Sequence, residues 1–374
     1  MQIHRLDLDS RRDVRRYINF PFKLYRESEL WVPPFVDEVR TQLDPERHPF
    51  YQHSEAAMFF ASSGGEIVGR IAALENTRYN EYHDERTAFF YHFDVIDDRT
   101  VSRALFDAAF DWARGRGLNK MWGPQSFVAA DGKGLLVKGF EHRPALGIAY
   151  NYPYYGELVE DAGFEKGVDL ISCYADRDME VSERFARVAE KVKRRGRFRT
   201  VRFRTKAELR AMIPRVTALY NEAFVDVQGY VPLTEAEASV TAGRIIAVAD
   251  PSLMILLMKG DEIAGFALAY PDLTAAIRRC KGRLWPLGWY HLMREFKRTE
   301  WLNFNGGGIL EQYRGLGGNS LLYTELYNVL ISHPQYQHAD LVQIQETNTR
   351  MVQELQAANV EEYKRHRVYR RSLG

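Results

Sequence analysis

The sequence predicts an α/β protein that contains two copies of one domain. The chain has 374 residues, which is long for a single domain and suits two. A β-hairpin pattern in the first quarter of the chain recurs in the third quarter, and a strand, a glycine-rich turn and a helix follow the second hairpin. With 45% hydrophobic and 27% charged residues, the composition is that of a globular chain that builds full cores.

Composition and charge exclude several classes of protein. The 51 basic and 50 acidic residues nearly cancel, so the chain carries no overall signal for nucleic-acid binding. Cys173 and Cys280 lie far apart without metal-ligand spacing, as do His291 and His338, so we expect free thiols in a reducing cytoplasm and no metal. No apolar signal region and no run of about 18 apolar residues occur, so a cytoplasmic protein without a membrane span is expected.

The first copy is predicted over residues 1–176. Turn residues between two apolar runs indicate a hairpin, and helical spacing of apolar residues indicates a helix with Ala104, Leu105, Ala108 and Trp112 on one face. The predicted elements are a strand near Ile3–Leu6, a helix over Val14–Tyr25, the hairpin strands Met58–Ala61 and Glu66–Ala72, a strand over Ala88–Val95, a helix over Val101–Arg114, a strand from Lys120 and a last strand over Val168–Tyr174.

The second copy is predicted over residues 177–374. Its hairpin repeats the first at one constant offset, with Ile67 matched by Ile263 and Gly69 by Gly265. A highly basic helix, Asp176–Arg199, joins the copies and is interpreted as a solvated connection. The other predicted elements are a strand over Thr200–Arg204, helices over Lys206–Phe224 and Glu235–Val248, hairpin strands Ile255–Met258 and Glu262–Ala267, a strand from Leu302, the helix after the glycine turn, and a strand over Asp340–Gln345.

The glycine-rich turn predicts an anion site. A turn of this kind between a strand and a helix exposes backbone N–H groups at the helix N-terminus, which favours a phosphate or pyrophosphate. Arg314 adds a positive charge within reach of the same anion. The candidate binding residues of the turn are Arg314, Gly315, Gly317, Gly318, Asn319 and Ser320.

These residues resemble the acyl-CoA pyrophosphate loop of the GCN5-related N-acetyltransferases (GNAT). The signature of that superfamily is Gln/Arg-x-x-Gly-x-Gly/Ala, on which Arg314, Gly317 and Asn319 fall, so the last position departs from it. The resemblance implies two tandem GNAT-like domains, each with a mixed, mostly antiparallel sheet flanked by helices. It also implies acetyl-CoA or another acyl-CoA as the cofactor.

The resemblance also assigns roles outside the turn. In the superfamily the strand before the loop binds the pantetheine arm and polarises the thioester, which the resemblance places on Gly308, Ile309 and Leu310. Many members of the superfamily carry an asparagine at the position of Asn348, which is therefore a candidate cofactor-binding residue. The tyrosine that protonates the leaving thiolate is replaced by Leu355, so Tyr363, Tyr369 and Tyr230 are candidates for that role. Glu311 and Glu346 are candidate bases.

The first copy lacks the anion loop. Asp97 and Asp98 stand where the glycines should be, and their carboxylates would repel a pyrophosphate. We therefore expect one CoA per chain, bound by the second copy.

An insert, Thr274–Glu300, separates the second hairpin from the next strand. It is basic and aromatic. This composition suits a segment that lies on a membrane surface, a segment that binds RNA, or a lid over the active site whose aromatic side chains face inward. We expect the lid, and hence no stable membrane or nucleic-acid partner.

The predicted function is transfer of an acetyl or longer acyl group from CoA to a small-molecule primary amine by direct attack. Two alternatives remain at this point: a Fem-type transferase that uses aminoacyl-tRNA, and a non-catalytic acyl-CoA sensor, which the leucine at position 355 favours.

Overall fold

The structure is a computed structural model that describes residues 1–128, 131–179, 183–225, 227–357 and 360–374. Its strands are β1 (Gln2–Arg5), β2 (Glu55–Ser63), β3 (Glu66–Glu75), β4 (Thr87–Val95), β5 (Lys120–Gly123), β6 (Leu135–Lys138), β7 (Glu165–Asp176), β8 (Arg199–Arg202), β9 (Met254–Lys259), β10 (Glu262–Pro271), β11 (Trp301–Ile309), β12 (His338–Gln345) and β13 (Glu361–Ser372).

The helices alternate with these strands, as expected for an α/β chain. They are α1 (Arg11–Leu24), α2 (Val36–Gln42), α3 (Thr77–His83), α4 (Arg99–Gly115), α5 (Tyr155–Asp161), α6 (Glu183–Arg194), α7 (Lys206–Ala223), α8 (Glu235–Val248), α9 (Thr274–Arg279), α10 (Gly288–Phe296), α11 (Gly318–Ser332) and α12 (Thr349–Ala357); short 3₁₀ turns lie at Pro49–Gln52, Pro251–Leu253 and Glu311–Tyr313.

The chain forms two compact units that are not cut at a single point. Unit 1 contains Met1–Leu170, Thr274–His291 and Lys364–Gly374, and unit 2 contains Ile171–Leu273 and Leu292–Tyr363. The last strand of the chain, β13, therefore lies mostly in unit 1. The division of the repeat at residues 176 and 177 stays a prediction.

Unit 1 is built on a mixed sheet with the strand order β1-β2-β3-β4-β5-β13-β7. Neighbours pair antiparallel from β1 to β4, and β4 pairs parallel with β5 over Thr87–Phe89. The apolar face of α4 lies on this sheet, where Leu105, Phe106 and Phe110 are fully buried. A Cβ on Gly69 would lie 2.7 Å from Leu105, so this glycine permits the close approach of helix and sheet.

Unit 2 repeats the arrangement with the order β7-β12-β11-β10-β9-β8. Strands β8 to β11 pair antiparallel, and β11 pairs parallel with β12 over Trp301–Phe304. Both hairpins carry a register shift at the same repeated place, between Ile67 and Gly69 in one and between Ile263 and Gly265 in the other. The predicted duplication and the α/β class are thus confirmed at the level of strand register.

The largest departures from the predicted elements are at the joining helix and at the end of the chain. Asp176 ends β7, and α6 begins only at Glu183. Strand β13 and strand β6, which pairs with it, were not predicted. The insert forms α9 and α10, and its aromatic side chains do not face inward: Trp285 is 82% exposed, so that part of the lid prediction is wrong.

A buried ion cluster fixes β13 within unit 1. The carboxylate of Asp169 on β7 has no exposed surface and accepts hydrogen bonds from Arg367 at 2.8 Å and Arg365 at 3.2 Å, while Lys166 lies 3.1 Å away. Burial by itself would raise the pKa of Asp169, but the bonds from Arg367 and Lys166 outweigh it and hold the pKa below its usual range.

We expect Asp169→Asn to lower the free energy of unfolding by about 3 kcal/mol, because it leaves three cations without their buried partner. Since the folded-state pKa is depressed, this contribution is present above the unfolded pKa and is lost as the pH falls through the folded value. Urea unfolding at neutral and acidic pH measures both effects. Asp161→Asn, which removes the carboxylate partner of the exposed Arg103, is the matched control and should cost less, because solvent screens the charge left behind; equal losses would contradict the assignment.

Candidate active site

The site is built where two parallel strands of unit 2 separate. Strands β11 and β12 pair only over their first residues, from Trp301 with His338 to Phe304 with Leu341. Beyond Phe304, β11 continues to Ile309 and pairs with β10, as Gly308 faces Phe266. Among the described residues, the other edge of β11 has no strand partner there, so its backbone groups other than the Ile309 carbonyl, which accepts from Arg314, are open to a ligand.

Glycines make this edge accessible. Gly306 and Gly307 are exposed, and Gly306 has a φ of +134°, which side chains rarely permit. Gly308 lies against the end of α7, where an added Cβ would be 3.0 Å from the ring of Phe224. Ile309 and Leu310 are buried, and the Leu310 N–H donates to the Ala264 carbonyl at 3.0 Å.

The predicted anion loop follows directly. After the 3₁₀ turn at Glu311–Tyr313, Gly315 has a φ of +80° and Gly317 a φ of +87°, and α11 begins at Gly318 with Gly317 as its N-cap. No side chain caps the first N–H groups of this helix. A Cβ on Gly317 would lie 2.6 Å from Val192, so α6 packs closely over the turn.

Arg314 holds the turn in place through backbone carbonyls. Its Nε donates to the Ile309 carbonyl at 3.1 Å, and one terminal nitrogen donates to the Ala223 carbonyl at 3.0 Å. The guanidinium thus connects the end of β11 to the end of α7, which positions the glycine edge and the turn relative to each other.

The start of α11 is tied to α12. The Asn319 amide donates to both carboxylate oxygens of Glu354, at 3.2 and 3.1 Å, and the Tyr323 hydroxyl donates to Glu354 at 3.2 Å. Burial, and then the Glu354 carboxylate, raises the pKa of Tyr323 far above its usual value. Ser320 is partly exposed in the first turn of α11. Asn319 therefore acts as a bridge between helices, with its amide engaged away from the turn.

The structure brings some of the predicted catalytic residues to this site. Glu311 is exposed in the 3₁₀ turn beside the loop, and Glu346 is half-buried directly after β12. Asn348 caps α12, because its side-chain oxygen accepts from the Met351 N–H at 3.2 Å. Leu355 is buried against Ile171 and Cys173, so nothing at that position donates a proton.

Tyr363 lies elsewhere. Its ring is 5.9 Å from that of Tyr174, which in turn is 5.7 Å from Trp301 at the beginning of β11. A strand rises about 3.3 Å per residue, so Gly308 lies roughly 23 Å further along β11. The structure does not bring Tyr363 to the glycine edge.

A buried polar cluster at the separation point was missed by the sequence analysis. Tyr270 on β10 accepts a hydrogen bond from the Asn305 amide at 2.6 Å, and the Asn303 amide donates to Asp272 at 2.8 Å. Asp340, the partner of Asn303 in the β11–β12 register, has no exposed surface. The only sequence signal was polar residues, Asn303 and Asn305, alternating inside an apolar strand.

Burial raises the pKa of Tyr270 well above its usual value, opposed by the hydrogen bond from Asn305 and reinforced by the charges of Asp272 and Asp340. The hydroxyl therefore stays protonated at neutral pH. Because it accepts from Asn305, its own proton remains for another acceptor. The cluster combines a proton donor and two carboxylates next to a free strand edge, which are the groups that acyl transfer requires.

The equivalent helix of unit 1 is capped differently. The Asp98 carboxylate accepts from the N–H groups of Thr100 at 2.7 Å and Val101 at 3.3 Å at the start of α4. The side chain thus occupies the position that an anion would take. In the described part of the chain, no group of side chains suited to a metal ion occurs and no helix is long and apolar enough to cross a membrane.

The chain has the fold of the GNAT acetyltransferases, with separated parallel strands, a glycine-lined strand edge and a left-handed turn into α11. In overall fold the chain is similar to a tandem GNAT protein of the clavulanic acid biosynthesis pathway, with a TM-score of 0.57 and 14% identity over 100% of this chain and 98% of that one. No family model matches the sequence.

Two curated relatives are similar in sequence. The chain is 29% identical to Protein YghO of Escherichia coli K12 over 97% of this chain and 94% of the relative. It is 32% identical to the bacterial ceramide synthase of Caulobacter vibrioides over 76% of this chain and 74% of that protein. The chain therefore belongs to the family that contains this ceramide synthase.

The two glycines of the turn give a test of its packing. Gly315→Ala and Gly317→Ala both force a side chain into the left-handed region, at a cost of about 1–2 kcal/mol. An added Cβ at Gly315 meets nothing within 4 Å, whereas at Gly317 it meets Val192. We expect Gly317→Ala to be the more destabilising in chemical unfolding; equal losses would contradict the close packing of α6 on the turn.

Proposed function

We propose that this protein is an acyl-CoA-dependent N-acyltransferase whose acceptor is the primary amine of a long-chain base. The observation that carries the proposal is the free, glycine-lined edge of β11, which leads directly into the left-handed turn at Gly315 and Gly317. The acceptor class rests on the sequence similarity to a ceramide synthase, since a ceramide is a long-chain base with an acyl group on its amine.

The residues present fit an acyl-CoA. The exposed backbone at Gly306–Gly308 supplies donors and acceptors for an extended amide chain, and the uncapped start of α11 supplies N–H groups for a pyrophosphate. When bound, the acyl-CoA supplies the activated thioester. Arg314 contributes by holding β11, the turn and α7 in one arrangement, because its guanidinium is engaged with carbonyl oxygens.

The buried cluster supplies the proton transfers. The amine nitrogen forms a bond to the thioester carbonyl carbon, the carbon–sulfur bond breaks, and the thiolate takes a proton from the Tyr270 hydroxyl. The proton lost by the amine passes to a carboxylate and from there restores the Tyr270 hydroxyl, so that the net transfer is one proton from nitrogen to sulfur. Asp272 and Asp340 in the cluster, and Glu346 after β12, are the candidates for this carboxylate. Tyr270 thus takes the role that the leucine at position 355 leaves open.

A second candidate function is acyl-CoA binding without turnover, which the buried Leu355 favours. The two differ in one measurement: release of free thiol from an acyl-CoA in the presence of a long-chain base, with the amide product identified by mass spectrometry. Release without added amine, or none with any amine tested, would contradict the transferase proposal.

Titration calorimetry should give one CoA per chain. We expect Gly315→Asp to weaken CoA binding at least about tenfold, because it adds a negative charge beside the pyrophosphate position. Gly315→Asn is the matched control, with the same shape, no charge and good tolerance of positive φ. Two equivalent sites, or equal affinities of the Asp and Asn variants, would contradict the placement of the anion site.

We expect Tyr270→Phe to lower kcat by about a hundredfold with little change in the KM for acyl-CoA, because it removes a proton donor and leaves the glycine edge intact. Tyr336→Phe, which removes the hydroxyl of another fully buried tyrosine of unit 2, is the control. Steady-state kinetics with both variants decides the point; a Tyr270→Phe enzyme as fast as Tyr336→Phe would exclude Tyr270 as the acid.

A further inference from the structure

The insert presents a cluster of large apolar side chains to solvent. Trp285 is 82% exposed and Leu287 63% exposed, and Trp289, Tyr290 and Met293 are each about half exposed. These residues follow one another within a single short segment, and together they form the largest concentration of exposed large apolar side chains in the described chain. Such clusters usually mark a surface that binds a partner or a membrane.

The backbone between Gly282 and Gly288 holds these side chains outward. The Val36 N–H donates to the Gly282 carbonyl at 2.9 Å, and a Cβ on Gly282 would lie 2.1 Å from the Pro34 carbonyl oxygen. A Cβ on Gly288 would lie 2.0 Å from the Arg283 carbonyl oxygen. Both glycines are therefore required for close backbone packing, which fixes the segment between them with Trp285 and Leu287 at its tip.

Exposed cations surround the apolar cluster. Seven cations of the insert are exposed, against one exposed carboxylate, Glu300, because Glu295 is buried; the cations are Arg278, Arg279, Lys281, Arg283, Arg294, Lys297 and Arg298. The surface therefore combines tryptophan, tyrosine and leucine with an excess of positive charge. This combination is typical of elements that lie in the interface of an anionic bilayer.

The positive surface continues onto α1. Arg283 donates to the Asn19 side chain at 3.1 Å and lies 5.0 Å from the ring centroid of Phe22. Asn19 also lines an open cleft of about 580 Å³ together with Arg11, Arg12 and Arg15. These three arginines are exposed and have no carboxylate partner among the described residues, whereas Arg16 and Lys23 pair with Asp13 and Glu66.

We propose that the tip of the insert and the arginines of α1 form one docking surface for an anionic phospholipid bilayer. Trp285, Leu287 and Tyr290 enter the interfacial region, while the cations of the insert and of α1 meet the headgroup phosphates. RNA is disfavoured as the occupant because Leu287 and Met293 offer no ring for base stacking. The proposal stands independently of the reaction, although a surface-bound enzyme would have direct access to a membrane-resident amine.

Vesicle co-sedimentation tests the surface without any substrate. The full chain is mixed with vesicles of phosphatidylcholine alone or with about one third phosphatidylglycerol. We expect binding to the anionic vesicles that falls as salt rises, and quenching of tryptophan fluorescence by brominated acyl chains.

Two variants separate the apolar and charged contributions. Trp285→Ser/Leu287→Ser should weaken binding at least about tenfold and abolish the quenching, because it removes the inserted side chains. Arg12→Glu/Arg15→Glu should weaken binding and reduce its salt dependence. Tyr82→Ser, which removes an aromatic side chain of 47% exposure outside the surface, is the matched control. All these sites are exposed, and unfolding curves check that the variants fold.

Several outcomes would overturn the proposal. The wild-type protein could stay in the supernatant with anionic vesicles at low salt. The variant Trp285→Ser/Leu287→Ser could bind the vesicles as tightly as the wild-type protein does, or the wild-type protein could bind tRNA in preference to vesicles. A dimer in sedimentation that is lost in the same variant would instead assign the surface to a second copy of the chain. Because none of these measurements involves CoA or an amine, their failure is distinguishable from a failure of the transferase proposal.

Discussion

The arrangement of the site depends on the separation of two strands that begin as a parallel pair. Once β11 stops pairing with β12 at Phe304, its backbone groups need other partners, and an apolar or bulky sequence would fill the space. Glycine at Gly306 and Gly307 leaves the edge open, and Gly265 on β10 allows the close approach of the Gly308 carbonyl, 2.6 Å from where a Cβ would be. Arg314 then fixes the end of the opened strand to α7. Each of these features serves the same separation.

The duplication makes the specialisation of unit 2 visible. Both units have the shifted hairpin, the helix that follows the fourth strand of the repeat, and a parallel pair that is only a few residues long. They differ at the first turn of that helix, where one has the Asp98 carboxylate and the other has Gly317 and open N–H groups. The same arrangement of strands and helices therefore contains a helix capped by its own side chain in one unit and a candidate anion site in the other.

Local sequence patterns were sufficient to predict most of the strands, helices and turns. The repeated hairpin, helix α8 and the turn before α11 follow from turn residues and apolar spacing within about fifteen residues. Strand β13 could not be predicted in this way, because its charged residues bind distant partners: Arg367 donates to the Asp169 carboxylate and Lys364 donates to the backbone carbonyl of Arg143. Tyr270 was missed for a similar reason: its role arises from Asn305 and from carboxylates that only the sheet brings together. The outward direction of Trp285 depends on backbone packing at Gly282 and Gly288, which periodicity does not report.

The discontinuous make-up of unit 1 has a consequence for how the protein is made. Its sheet includes β13, whose residues from Lys364 onward are synthesised after unit 2, and the unit also takes in Thr274–His291. During synthesis the first 170 residues therefore emerge without the strand that neutralises Asp169, and an edge of their sheet remains open until β13 has been made. The nascent chain therefore holds unit 1 incomplete, with an unpaired strand edge, while unit 2 is being synthesised.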